Sequence, residues 1–135
     1  MAIIIIPCSK CGKQIEMHVG QSFINLRVNT YASYHCKHCG ECIEMDWFGE
    51  KPNQEIVDAI LEQDGIWEIS IVEGQSDKVS IMRVLRDELN MKISELKNMI
   101  KDIDKFKYQG TDAEVAKFEY AFKRVGIKTN IVRLN

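Results

Sequence analysis

The first third of the chain is patterned for strands. Ile3-Ile4-Ile5-Ile6 is an apolar run of strand length closed by Pro7. His18 alternates with Met17 and Val19, and the alternation predicts strands over 14–19 and 23–28, a loop at Asn29-Thr30, and a further strand over 43–48. Gly49-Glu50-Lys51-Pro52 then marks a boundary. Beyond it the period lengthens. Asn53 is placed to cap a helix with Ile56, Val57, Ile60 and Leu61 on one face and Gly65 at its end. Trp67, Ile69 and Ile71 alternate with Glu68 and Ser70, which predicts a strand over 66–72, followed by a turn at Gly74-Gln75-Ser76.

Asp77 is placed to cap the next helix, with Val79, Met82, Leu85 and Leu89 at helical spacing and a break at Asn90-Met91. A short helix over 94–101 turns Leu96, Met99 and Ile100 inward, and a short strand is expected at 106–108. Gln109-Gly110 reads as a turn. Thr111 with Glu114 forms a capping box for a helix carrying Val115, Phe118, Phe122 and Val125 on one face, and Gly126 ends it before a strand over 127–134. The expectation is an α+β chain. A small N-terminal β unit spans 1–49 and a connecting helix 50–65. A β-α-α-β-α-β domain spans 66–135, its three-stranded antiparallel sheet packed on three helices.

Composition changes this picture little, and charge somewhat more. The chain has 135 residues, 45% hydrophobic and 28% charged, the balance of an ordinary globular protein. A net charge of −2 argues against a protein built mainly to neutralise phosphates. No apolar run approaches the roughly 20 residues that cross a bilayer, and the Ile3–Ile6 run has no basic segment before it, so a cytoplasmic location is expected. Charge is unevenly distributed: residues 51–76 carry one basic and six acidic groups, residues 77–135 thirteen basic and nine acidic. An acidic middle beside a mildly basic C-terminal half suggests two units with different surfaces.

The cysteines carry the sharpest chemical signal. Cys8-Ser9-Lys10-Cys11-Gly12 and Cys36-Lys37-His38-Cys39-Gly40 are matched Cys-x-x-Cys-Gly turns. Thiolates at that spacing can face one ion, and the glycine lets the backbone fold so that amides point at sulfur. Two such turns complete a tetrahedral four-thiolate site for Zn2+, with Cys8, Cys11, Cys36 and Cys39 as ligands. Iron would accept the same four sulfurs. The 24 residues between Cys11 and Cys36 leave room for a long hairpin, and residues 3–48 resemble a zinc ribbon. Cys42, the fifth cysteine, is expected to be a small buried residue at the start of a strand, and His35 and His38 to be exposed. A site closed by four thiolates leaves no position for a catalytic water.

Lys78-Val79-Ser80-Ile81-Met82-Arg83-Val84-Leu85-Arg86 and Ile93-Ser94-Glu95-Leu96-Lys97-Asn98-Met99-Ile100, with the Ala121-Phe122-Lys123-Arg124-Val125-Gly126 ending before a strand, resemble the C-terminal domain of the bacterial ribosomal stalk protein. That family reads Lys-Val-x-Val-Ile-Lys-x-Val-Arg and, past a glycine-containing loop, Leu-Lys-Glu-Ala-Lys-x-Leu-Val. The resemblance covers about residues 66–134. It implies a surface that recruits translational GTPases, falling on Lys78, Val79, Met82, Arg83, Arg86 and Lys97. Asp87 and Lys92 replace the family's loop glycines, and its N-terminal dimerisation helices and hinge have no counterpart, so the chain looks like a borrower of the domain rather than the stalk protein.

No phosphate-binding glycine loop, nucleophile motif or paired His-Glu motif is present, so an enzyme is not expected. The leading expectation is a zinc-binding protein-interaction module whose partner is a translation GTPase or a ribosome-associated protein. A second reading is an immunity protein that neutralises a bacterial toxin, presenting Asp58, Glu62, Asp64, Glu68 and Glu73 to a basic nuclease. A third is a ribbon that binds nucleic acid. Lys10, Lys13, Arg27 and Lys37 against Glu16, Glu41, Glu44 and Asp46 support that weakly. No membrane partner is expected.

Overall fold

The computed structural model describes residues 2–75 and 77–135, apart from the side chains of Ile100 and Asp104. Ser76, in the turn expected at Gly74–Ser76, and the inward Ile100 side chain lie outside the described residues. The chain is α+β, with two antiparallel sheets and four helices among the described residues.

The first sheet is an antiparallel meander in the order β1-β2-β3-β4: β1 Ala2–Pro7, β2 Gln14–Ile24, β3 Arg27–His35 and β4 Cys42–Phe48. Period-two alternation decides which face is buried. Ala2 and Ile4 on β1, Ile15, Met17 and Val19 on β2, and Thr30, Ala32 and Tyr34 on β3 turn inward. The helix α1, Gln54–Asp64, lays Ile56 and Ile60 into that face. Its Gln63 also closes the outer edge of β1: the Ile3 amide donates to Oε1 at 2.9 Å, and Nε2 donates to the Ile3 carbonyl at 2.7 Å.

The hairpin differs from expectation. The turn sits at Asn25-Leu26, inside the strand expected over 23–28 and later than the gap at 20–22 between the expected strands, while Asn29 and Thr30, expected as a loop, are strand residues paired with Ser22 and Gln21. Both turn residues are left-handed, with φ 55° and 65°. This is the backbone sense that matches strand twist in a two-residue hairpin. Leucine rarely adopts it, so the pair does not read as a turn.

The second sheet has the order β6-β5-β7, with β5 Trp67–Ile71 between β6 Lys107–Gly110 and β7 Thr129–Arg133. The helices α2 Lys78–Leu89, α3 Ile93–Met99 and α4 Asp112–Arg124 complete the unit, with a 3-10 turn over Ile100–Lys105 after α3. Gln109 and Gly110 belong to β6 rather than to a turn, because they pair with Glu68 and Trp67 of β5, and Thr111 caps the helix directly after them. The core gathers Ile69, Ile71, Ile81, Leu85, Ile103, Val115, Phe118, Phe122 and Ile127. On α2 the buried stripe is Ile81, Val84 and Leu85, while Val79 is 65% exposed. The helix is therefore rotated from the Val79–Leu85 register that spacing suggested.

The α4 helix serves both sheets. Val115, Phe118 and Phe122 enter the second core. On its other side the Thr111 hydroxyl donates to Gln21 Oε1 at 2.6 Å, and the Tyr120 ring lies 5.7 Å from that of Phe23. Thr111 also accepts from the Glu114 amide, and Glu114 accepts from the Thr111 amide. Thr111→Ala is expected to cost about 1–2 kcal/mol in a denaturant titration, because it removes the cap and leaves Gln21 without this bond. A change below about 0.3 kcal/mol would show that neither bond contributes.

Candidate metal centre

The two Cys-x-x-Cys turns sit at one end of the first sheet. The first joins β1 to β2 and the second joins β3 to β4. The chain between Cys11 and Cys36 is spent on the β2–β3 hairpin, which runs out along the sheet and returns, so cysteines far apart in sequence meet. The turns share one hydrogen-bond pattern. The Cys8 amide donates to the Lys13 carbonyl at 2.8 Å and the Gly12 amide to the Cys8 carbonyl at 2.9 Å. In the second turn Cys36 donates to Glu41 at 2.8 Å and Gly40 to Cys36 at 2.9 Å. Gly12 and Gly40 have φ of 76° and 83°, where a side chain would be strained.

All four sulfurs, of Cys8, Cys11, Cys36 and Cys39, lie within 4.8 Å of one another. Cys8 Sγ is 3.6 Å from Cys39 Sγ, and Cys11 Sγ is 3.6 Å from Cys36 Sγ. A tetrahedral ion with metal–sulfur bonds of about 2.3 Å has sulfur–sulfur edges of about 3.8 Å. The cage therefore fits one such ion. Cys8 and Cys36 are buried and belong to the first core, so the metal site and the apolar interior are continuous.

The electrostatics point the same way. The Cys11 amide, chiefly, pulls the Cys8 thiol down to about 6, against burial. For Cys36 burial pushes upward, but the amides of Cys39 and His38 and the nearby sulfurs overcome it, and its pKa falls. The Glu41 amide pulls Cys39 down, yet burial and the sulfurs of Cys8, Cys36 and Cys11 drive it up to about 12. Thiolates crowded this closely repel, so one keeps its proton unless a cation shares the charge. A divalent ion would release that proton and let all four sulfurs ligate.

Tyr34 is a supporting residue that the sequence did not single out. Its hydroxyl shares a 2.9 Å hydrogen bond with that of Ser9 and accepts from the Ser9 amide at 3.3 Å, tying the first turn to β3. The signal for it was present: Tyr34 continues the inward alternation of Thr30 and Ala32 toward Cys36. Cys42 corrects an expectation, for it is exposed rather than buried. On β4 the odd-numbered residues Ile43 and Trp47 pack toward the first core, so Cys42 faces outward. It opens with Ile5, Glu16, His18, His35 and Glu44 onto a groove of about 790 Å3 across the outer sheet face. Among the described residues no second group of three or more ligating side chains converges there.

The remaining candidate residues lie on the second unit. Lys78, Val79, Arg83 and Arg86 are exposed on α2, and Lys97 is exposed on α3. Met82 is half-buried against the core. Arg86 Nε faces Asp87 at 3.5 Å, a long, solvent-exposed pair that offsets part of the positive charge. At the head of α2 the Ser80 hydroxyl and amide bond the Asp77 carboxylate and hold it below its ordinary pKa. In the acidic segment, Asp58, Glu62 and Glu73 are exposed and Asp64 is half-buried. Glu68 accepts from Gln109 at 2.9 Å and faces Lys107 at 4.0 Å, so its charge is already engaged. No helix of the described residues is long and apolar enough to cross a membrane. Comparison with protein-family models, with curated proteins and with solved structures found no match.

Proposed function

We propose that the chain is a non-catalytic protein-interaction module stapled by Zn2+. The convergence of four sulfurs within 4.8 Å of one another carries this reading. Four thiolates complete the coordination shell of zinc and leave no position for water or substrate, so the ion acts on folding rather than on chemistry. Zinc suits the set better than magnesium or calcium, which prefer oxygen. The first sheet with its two cysteine turns is then a zinc ribbon, and the unit beyond α1 presents the docking face.

That face is the exposed side of α2. Lys78, Arg83 and Arg86 are exposed on the same helix as the exposed Val79, with Lys97 on the neighbouring helix. Cations around an apolar spot suit an acidic amphipathic helix, with charge speeding encounter and Val79 giving contact. The likeness to the ribosomal stalk domain supports a translational GTPase, or a ribosome-associated protein, as the partner. Titration of the zinc-loaded chain with a translation elongation factor should give saturable binding. Arg83→Glu with Arg86→Glu should weaken it at least about tenfold. Equal affinity of the two proteins, or no binding by either, would overturn the α2 assignment.

A further inference from the structure

The two edges of the first sheet are finished differently. At β1 the Gln63 side chain occupies the Ile3 amide and carbonyl, and Pro7 ends the strand. At β4 no described residue provides such cover. The strand pairs with β3 alone, in unbroken register from Asn29↔Phe48 to His35↔Cys42. It contains no proline, no lysine and no inward charge, the features by which proteins blunt an open edge. Alternate main-chain amides and carbonyls of β4 therefore point away from the sheet. Beside them lies a partly open apolar ledge. Ile43 and Trp47 are half-buried and Met45 is 37% exposed, because α1 packs on β1 and β2 and α4 reaches β2 and β3.

The outer face of the same strand says what fits. Glu44 and Asp46 stand opposite Ser33 and Tyr31, neither of which is a cation. Among the described residues neither carboxylate has an ion pair or hydrogen bond. A second copy of β4 paired along the whole strand would fit badly. Two-fold antiparallel pairing centred on Met45 sets Glu44 against Asp46 of the other copy, twice, and directly opposed like charges are unfavourable.

We propose that β4 is a docking edge for an extended segment of another protein in which apolar residues alternate with lysine or arginine. The segment adds a fifth strand to the sheet. Its main chain completes the β4 hydrogen bonds, its apolar side chains extend the ledge of Ile43, Met45 and Trp47, and its cations meet Glu44 and Asp46. The surface is separate from α2, so the result leaves the assignment of that helix untouched.

The test uses the full-length metal-loaded chain and two synthetic peptides of about seven residues, one alternating Lys and Val, the other Glu and Val. The Lys/Val peptide should slow hydrogen exchange at the outward amides of β4 and bind roughly tenfold tighter than the Glu/Val peptide at low salt. In a Glu44→Lys, Asp46→Lys variant the preference should reverse. Equal binding of the two peptides, binding of neither, or protection at a site other than β4 would overturn the proposal. So would β4 protection that rises with protein concentration alone, since that would mark self-pairing. If the variant fails to fold, as judged by its metal content, the comparison of peptides on the unmodified chain still decides.

Discussion

Stripping the proposed zinc ion, or replacing Cys36 by serine, should unfold the four-stranded sheet. Cys36 is fully buried and Cys8 nearly so, and both belong to the core formed by Ile4, Ile15, Met17, Val19, Ala32, Tyr34, Ile56 and Ile60. Structural zinc supplies about 10–16 kcal/mol of apparent binding energy in small domains at neutral pH. That is comparable to or larger than the whole stability of a typical domain, about 5–15 kcal/mol. Without the ion the crowded thiols also compete for protons, as the opposite displacements of Cys8 and Cys39 show. Hydrogen exchange on chelated protein, with metal loss verified by elemental analysis, should show lost protection across β1 to β4 and retained protection in β5, α2 and the inner face of α4. Unchanged protection in β1 to β4 after verified metal loss would refute a structural role. Loosening is expected to reach Tyr120 and Phe23, where α4 touches the first sheet.

Phe122→Ala should be the most damaging single change in the second unit. The ring is fully buried and lies 6.3 Å from those of both Phe106 and Phe118. Truncation removes the transfer energy of the ring and leaves a void that the surrounding β-branched and aromatic residues fill only in part, at a cost of about 3–5 kcal/mol. Urea unfolding should show a midpoint shift of that size with metal content unchanged, because the cysteine cage is built from the other sheet. A loss below about 1 kcal/mol would mean that Phe122 is not central to this core.

Much of the local structure was legible because it is written in short-range chemistry. Asp77 caps α2 through the Ser80 amide at 3.0 Å, and Thr111 and Glu114 form the capping box of α4, both at the positions their residue types suggested. Other features depended on neighbours. The β2–β3 turn was misplaced because Leu26 adopts a left-handed conformation that its side chain does not advertise. The α2 stripe was rotated: Val79, apolar and correctly spaced, faces solvent, while Ile81 is buried in a core where α2 packs on α3, α4 and the 3-10 turn. Cys42 looked like a small core residue, yet the outward face of an edge strand exposes it.

From residue order alone came the alternation that makes strands, the side-chain caps of α2 and α4 (Asn53, expected to cap α1, makes no side-chain cap hydrogen bond), and two cysteine turns whose glycines aim amides at sulfur. These are interactions within a few positions along the chain, and the local order of residues settles them. Which carboxylates are left without a counterion, which strand edge stays open, and how α4 comes to lie against both sheets were decided in three dimensions. Glu44, Asp46 and Gln63 are ordinary polar residues in the sequence, and only the pairing of the strands gives one of them an edge to cover and leaves the other two facing no cation. Such long-range contacts arise when distant segments are packed together, and no local pattern encodes them.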